Sequence, residues 1–116
     1  MAAVANFDTS TFEESARAVA EVLRTLSNER RLMILCKLVE RGEASVTTLG
    51  VDVGLSQSAL SQHLAKMRDQ NLVTFRRQGQ TLWYRVCDGR VERLLSTLHE
   101  LYCSDDAVEQ RKGDHP

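Results

Sequence analysis

Apolar residues recur along this chain in two rhythms, and the switch between them divides it. From Thr11 to Leu26 the positions Ala16, Val19, Ala20, Leu23 and Leu26 fall at helical spacing, which predicts an amphipathic helix with one apolar stripe. Ser27 is the expected N-cap of a second helix, with Glu29 in its first turn where negative charge suits the dipole. Leu32, Ile34, Leu35, Leu38 and Val39 line that helix, and Gly42 is placed to end it. Ser45 opens a short helix, SVTTLGVDV, closed by Gly54. Ser56 caps the next, QSALSQHLAKMRDQ, whose Leu60, Leu64 and Met67 share one face.

After Asn71 the period changes. LVTFRR and TLWYRV are short runs rich in β-branched and aromatic residues, and Gln78-Gly79-Gln80 between them predicts a β-hairpin turned at Gly79. Asp88 then caps a last helix with Val91, Leu94, Leu95, Leu98, Leu101 and Tyr102 on its apolar side. The predicted order is α-α-α-α-β-β-α, a mainly α fold with a small β-hairpin. A short helix joined by Gly54-Leu55-Ser56 to a longer one is a helix-turn-helix, and the hairpin after it makes the unit winged. Residues 1–103 are expected to form a single winged-helix domain for DNA binding and dimerisation, and the polar tail 104–116 to be flexible.

Composition adds little to this, with one exception. The 116 residues are 42% hydrophobic, enough for a single core. The N-terminus has neither a basic start nor a long apolar run, so no signal peptide and no membrane span are predicted. Three cysteines without a CxxC do not make a disulfide framework, and a reducing cytoplasm is the expected location. The exception is charge. A net charge of −1 hides a middle segment, residues 56–93, with seven basic side chains against three acidic, between acidic ends.

That basic middle lies where the fold would meet DNA. With Leu60, Leu64 and Met67 facing inward, the helix after the turn presents Gln57, Ser58, Ser61, Gln62 and Lys66 outward, flanked by Ser56 and His63. Short and amide side chains can reach base edges in a major groove, and Gln can pair bidentately with adenine. Arg76 and Arg77 are expected at the hairpin tip, for phosphates or a narrow minor groove. Any surface helix is polar, so each feature alone is weak; in this order they point together to double-stranded DNA.

Three stretches, LRTLSNERRLMILCKL, GLSQSALSQHLAKMRDQNLV and RRQGQTLWYRV, resemble the ArsR/SmtB family of bacterial winged-helix repressors. The resemblance covers roughly Ala16 to Cys103. It implies a homodimer built from the first and last helices, binding an operator palindrome and released by an inducer. The apolar stripes at both chain ends suit such an interface, being more surface than a small core needs.

Metal-sensing members of that family carry Cys in the short helix before the turn, or an Asp-x-His pair and a later His-x-x-Glu pair in the last helix. Here the short helix reads LGVDVGL, and the last offers Asp88-x-Arg90 and His99-x-x-Tyr102. A closed tetrahedral site needs four donors, so no metal ligands and no cofactor are expected. His99 is read as a packing or surface residue, and His115 as part of the tail.

The thiols remain. A lone buried cysteine is most often core filler, and Cys36 in RRLMILCKL fits that description; Cys87 is read as structural. Cys36 together with Cys103, however, resembles the persulfide-sensing branch of the family. The resemblance implies that the reduced dithiol binds DNA and that reactive sulfur species link Cys36 to Cys103 through a polysulfide bridge. Two variants keep the fold and change the inducer: arsenite or another soft metal on Cys36, Cys103 and perhaps Cys87, or peroxide through a simple disulfide. A winged helix used only for protein contacts would carry apolar groups in place of Gln57, Ser58, Ser61 and Gln62. An enzyme is not expected, since no Cys-His pairing motif and no phosphate-cradling glycine loop occur.

Overall fold

The computed structural model describes residues 8–103. Five helices and three strands succeed one another: α1 (Thr9–Leu26), α2 (Glu29–Arg41), β1 (Ala44–Ser45), α3 (Val46–Val53), α4 (Gln57–Asp69), β2 (Val73–Gln78), β3 (Thr81–Val86) and α5 (Gly89–Cys103). The winged helix-turn-helix predicted from the sequence is present, and the 104–116 tail lies outside the described residues. No helix among them is long and apolar enough to cross a membrane.

Local chemistry sets most boundaries. Ser45 Oγ accepts from the Thr48 N–H, and Ser56 Oγ accepts from the Ala59 N–H, each at 3.2 Å, so both serines cap their helices. Gly54 takes φ +66, the left-handed conformation that ends α3 and opens the turn into α4. The end of α4 is a Schellman arrangement built on Asn71 at φ 60. The Leu72 N–H returns to the Met67 carbonyl and the Asn71 N–H to Arg68, both at 2.9 Å. Asn tolerates this backbone better than most residues.

Ser27 is not the N-cap of α2. Its hydroxyl turns back to the Arg24 carbonyl at 2.6 Å, while Asn28 Oδ1 accepts from the Arg31 N–H at 3.0 Å. Two adjacent capping residues compete there, and the amide of Asn28 wins because Ser27 still belongs to the end of α1.

The core is one cluster at the junction of α2, α3, α4 and the sheet. Ile34, Leu35, Leu38, Leu49, Leu60, Leu64 and Met67 are fully enclosed, and Val73, Tyr84, Val91 and Leu95 close it from the sheet and α5. The sheet is antiparallel with order β1-β3-β2, so β3 is central. Strand β1 pairs Ala44 with Tyr84 and Ser45 with Trp83. Its two residues are too few to show a period, which is why the sequence predicts the hairpin alone. Gln78 pairs with Thr81 across a two-residue turn in which Gly79 takes φ +63, the place and sign that suit glycine in a tight hairpin.

Helix α1 joins this core only near its C-terminal end, through Leu26 with Val22 packed against the cluster. Only Thr25 and Leu26 at its end are buried, and the Thr25 hydroxyl reaches Gln70 Oε1 of α4's cap at 2.9 Å.

Candidate nucleic-acid interface and thiol site

Helix α4 is held from behind by three fully buried side chains, Leu60, Leu64 and Met67, which fixes the face it turns to solvent. Gln57, Ser58, Ser61, Gln62 and Lys66 are all exposed on that face. Ser56 is exposed too, but its hydroxyl is engaged as the cap. His63 is half-buried, and burial, then the nearby cations Arg31 and Lys66, push its ring below the ordinary histidine range. Its half-buried ring is less open to a partner than the exposed side chains around it.

The hairpin arginines differ from each other. Arg76 is bound: its guanidinium bridges Glu43, with Nη2 at 2.6 Å from Oε1, reaches Gln78 Oε1 at 3.0 Å, and lies 5.6 Å over the Trp83 ring. Alternation along β2 sends Arg77 to the opposite face, opposite Leu82 and one pair from the turn. The expectation of two arginines at the tip needs correcting, since the tip itself is Gly79-Gln80. Arg77 is exposed and makes none of these bonds.

Between α4 and the wing runs a groove that also takes in residues the sequence does not single out. Thr47 at the start of α3, together with Gln80 and Thr81, lines it beside Gln57 and Ser61. Polar residues at a helix start and a turn carry no sequence signal that they will share a wall with α4.

Ion pairs tie α2 to α3 and to the wing. Arg41 at the end of α2 forms a two-pronged bond with Asp52 of α3, at 2.5 and 3.0 Å. Glu43, just beyond α2, holds Arg76 of the wing. At the other end of the fold, Asp88 caps α5 through the Arg90 N–H at 2.9 Å and pairs with the Arg90 guanidinium at 3.1 Å. That hydrogen bond to Arg90 holds its carboxyl below the usual range. Among the described residues no three His, Cys, Asp or Glu side chains cluster closely enough to hold a metal ion.

All three cysteines are free. Cys87 is exposed at the end of β3, its Sγ 3.3 Å from the Asn71 carbonyl. Cys36 is half-buried on α2, in a groove shared with Val39, Glu40, Leu95, Ser96 and His99. Burial pushes its thiol up, and negative charge at Cys103 and then at Glu40 pushes it further the same way. Cys103 is exposed at the end of α5, one helical turn after His99. His99 lines the same groove as Cys36, a pairing that no sequence spacing signals.

The protomer leaves apolar surface uncovered at both chain ends. Phe12 and Leu23 of α1 are 49% and 51% exposed, and Leu101 and Tyr102 of α5 65% and 67%. A second groove, between α1 and α5, is lined by Val19, Val22, Leu23, Val91 and Leu94.

Residues 28–74, from the cap of α2 into β2, match the sequence profile described as bacterial regulatory protein, arsR family. The chain is 46% identical over 99 residues to the nodulation protein NolR of Rhizobium meliloti, covering 84% of this chain and 80% of that protein. It is also 46% identical over 91 residues to the transcriptional activator HlyU of Vibrio cholerae, covering 78% and 82%. Among solved structures, the transcriptional repressor BigR from Xylella fastidiosa superimposes with a TM-score of 0.78 at 35% identity, over 85% of this chain and all of that one.

Proposed function

The chain belongs to the arsR family of bacterial regulatory proteins and is a DNA-binding transcription regulator, and from that premise we propose that it is a homodimeric repressor induced by reactive sulfur species. Reduced protein holds operator DNA; linking Cys36 to Cys103 releases it.

The observation that carries the reading is that Cys36 opens into the groove between α2 and α5, where His99 lies one helical turn before Cys103. A direct disulfide needs Cα atoms within about 7 Å, a limit that added sulfur atoms relax. The organic persulfide is itself the oxidant, and the chemistry balances with nothing further. Each cysteine takes one sulfane sulfur from an organic persulfide, RSSH, giving Cys–S–SH and RSH. One persulfide then attacks the other, hydrogen sulfide leaves, and a trisulfide joins α2 to α5.

The uncovered faces of α1 and α5 supply the dimer surface. A palindromic operator asks two α4 helices to sit about 34–36 Å apart, one turn of DNA. A bridge between α2 and α5 acts on that spacing, because α2 is fastened to α3 through Arg41–Asp52 and to the wing through Glu43–Arg76. Gln57, Ser58, Ser61 and Gln62 read bases, and Lys66 and Arg77 contact phosphates.

The test is an operator-binding titration of reduced protein, on a site selected from random duplexes, in the presence of glutathione persulfide, hydrogen peroxide, zinc or arsenite. Glutathione persulfide alone should abolish binding, and mass spectrometry should show Cys36 joined to Cys103 with sulfur added. Cys36→Ser and Cys103→Ser should bind DNA and fail to let go. Release by arsenite or by peroxide, with no response to persulfide, overturns the sulfur reading and leaves the DNA-binding assignment standing.

A further inference from the structure

The groove between α2 and α5 is lined by both a thiol and an imidazole. Cys36 and His99 border the same space, with Val39 and Leu95 as apolar surface and Glu40 and Ser96 completing the wall. Its volume is about 330 Å³, room for a small organic sulfur compound and water, taking roughly 30 Å³ for each water molecule. Cys103 comes one helical turn after His99, so both stand on one face of α5.

Only a thiolate attacks sulfur, and Cys36 is held in its thiol form chiefly by burial and also by the negative charge of Glu40. The proton must go somewhere as the bond forms. Glu40 is bridged to Lys37 at 3.2 Å, and a carboxylate is far too weak a base near neutral pH. Close to the ring on its own helix stand Glu100, Tyr102 and Cys103. Carboxyl, phenol and thiol groups ordinarily titrate well away from neutrality. Imidazole is the side chain whose chemistry suits that range.

We propose that His99 is the proton acceptor for Cys36 and that the groove they share binds a small organic persulfide. Cys36 Sγ attacks the outer sulfur of R–S–SH as its proton passes to the His99 ring through water in the groove. The S–S bond breaks, its electron pair leaves with RS⁻, and the imidazolium returns the proton to give RSH. Cys36 is left as Cys–S–SH and His99 is again neutral. The base assignment stands on the groove alone; the choice of ligand rests on the sulfur reading above.

The experiment uses protein with Cys87→Ser and Cys103→Ser, so that Cys36 is the single thiol. Its modification rate is followed from pH about 5.5 to about 9.5 with glutathione persulfide and, separately, with iodoacetamide, a range that brackets histidine and thiol titration. With His99 present, both rates should show a base-dependent limb below the rise that belongs to the thiol itself. His99→Ala should lose that limb and slow by on the order of a hundredfold near pH 7, and imidazole in solution should restore it. His99→Gln should show the same loss, which separates the role from a folding defect. An unchanged profile in both variants, or no response to imidazole, overturns the proposal. If iodoacetamide shows the His99-dependent limb and glutathione persulfide leaves Cys36 untouched, the base stands and the sulfur ligand falls.

Discussion

Arg76 of the wing grips Glu43, just beyond α2, with two nitrogens, Nη2 at 2.6 Å from Oε1 and Nε at 3.2 and 3.1 Å from the two oxygens. The pair spans 33 positions of sequence and fastens the hairpin to the chain that leads into the helix-turn-helix. A guanidinium held this way is a brace first, and its charge is already half answered before DNA arrives.

Glu43→Gln should therefore free a cation beside the DNA. The ion pair is exposed, so the denaturation midpoint should barely move. The slope of log affinity against log salt for operator DNA should steepen by about one, the mark of one more phosphate contact. Fluorescence anisotropy across a salt series measures it; an unchanged slope means that released Arg76 does not reach a phosphate.

Gln62 and Arg77 should fail in different ways. On the proposed reading face, Gln62→Ala should cost about 1–3 kcal/mol on the preferred operator while sparing non-specific DNA. Arg77→Ala should weaken all sequences alike and make the salt slope shallower by about one. Equal losses on specific and random duplex for Gln62→Ala would remove it from the reading face.

The Cys36 thiol gives the fold an alkaline weakness. Its folded pKa lies above the ordinary thiol value, chiefly because it is buried. An acid raised on folding keeps its proton in the native state while the unfolded chain releases it, so stability declines as pH climbs past the unfolded thiol value. Below that value the effect vanishes. Urea midpoints of reduced protein should fall as pH rises past the unfolded thiol value, and Cys36→Ser should flatten that part of the curve. A wild-type curve as flat as the variant's would contradict the burial of the thiol.

Dimerisation should depend on residues that the protomer does not use. Leu101 and Tyr102 contribute little to the protomer core, so Leu101→Asp with Tyr102→Asp should leave helix content unchanged and shift sedimentation to the monomer. Operator affinity should fall with it, since a palindrome is read by two copies. A variant that remains dimeric would place the interface elsewhere.

How much of this is legible in the sequence depends on distance along the chain. The caps at Ser45, Ser56 and Asp88, the turn at Gly54 and the buried stripe of Leu60, Leu64 and Met67 are fixed by neighbours within a turn or two. The polar face of α4 comes with that stripe. Even locally there is a limit: Ser27 and Asn28 offer the same chemistry one position apart, and only the path of α1 decides between them.

The linear chain thus dictates the order and kind of the elements, because hydrogen bonds within helices and hairpins and the period of apolar residues are local quantities. It took the packed molecule to show that Glu43 takes Arg76, that β1 joins the wing as a third strand, and that His99 borders the groove of Cys36. Those contacts join residues tens of positions apart, and they depend on the angles at which buried side chains let helices pack. No spacing in a linear pattern carries that information.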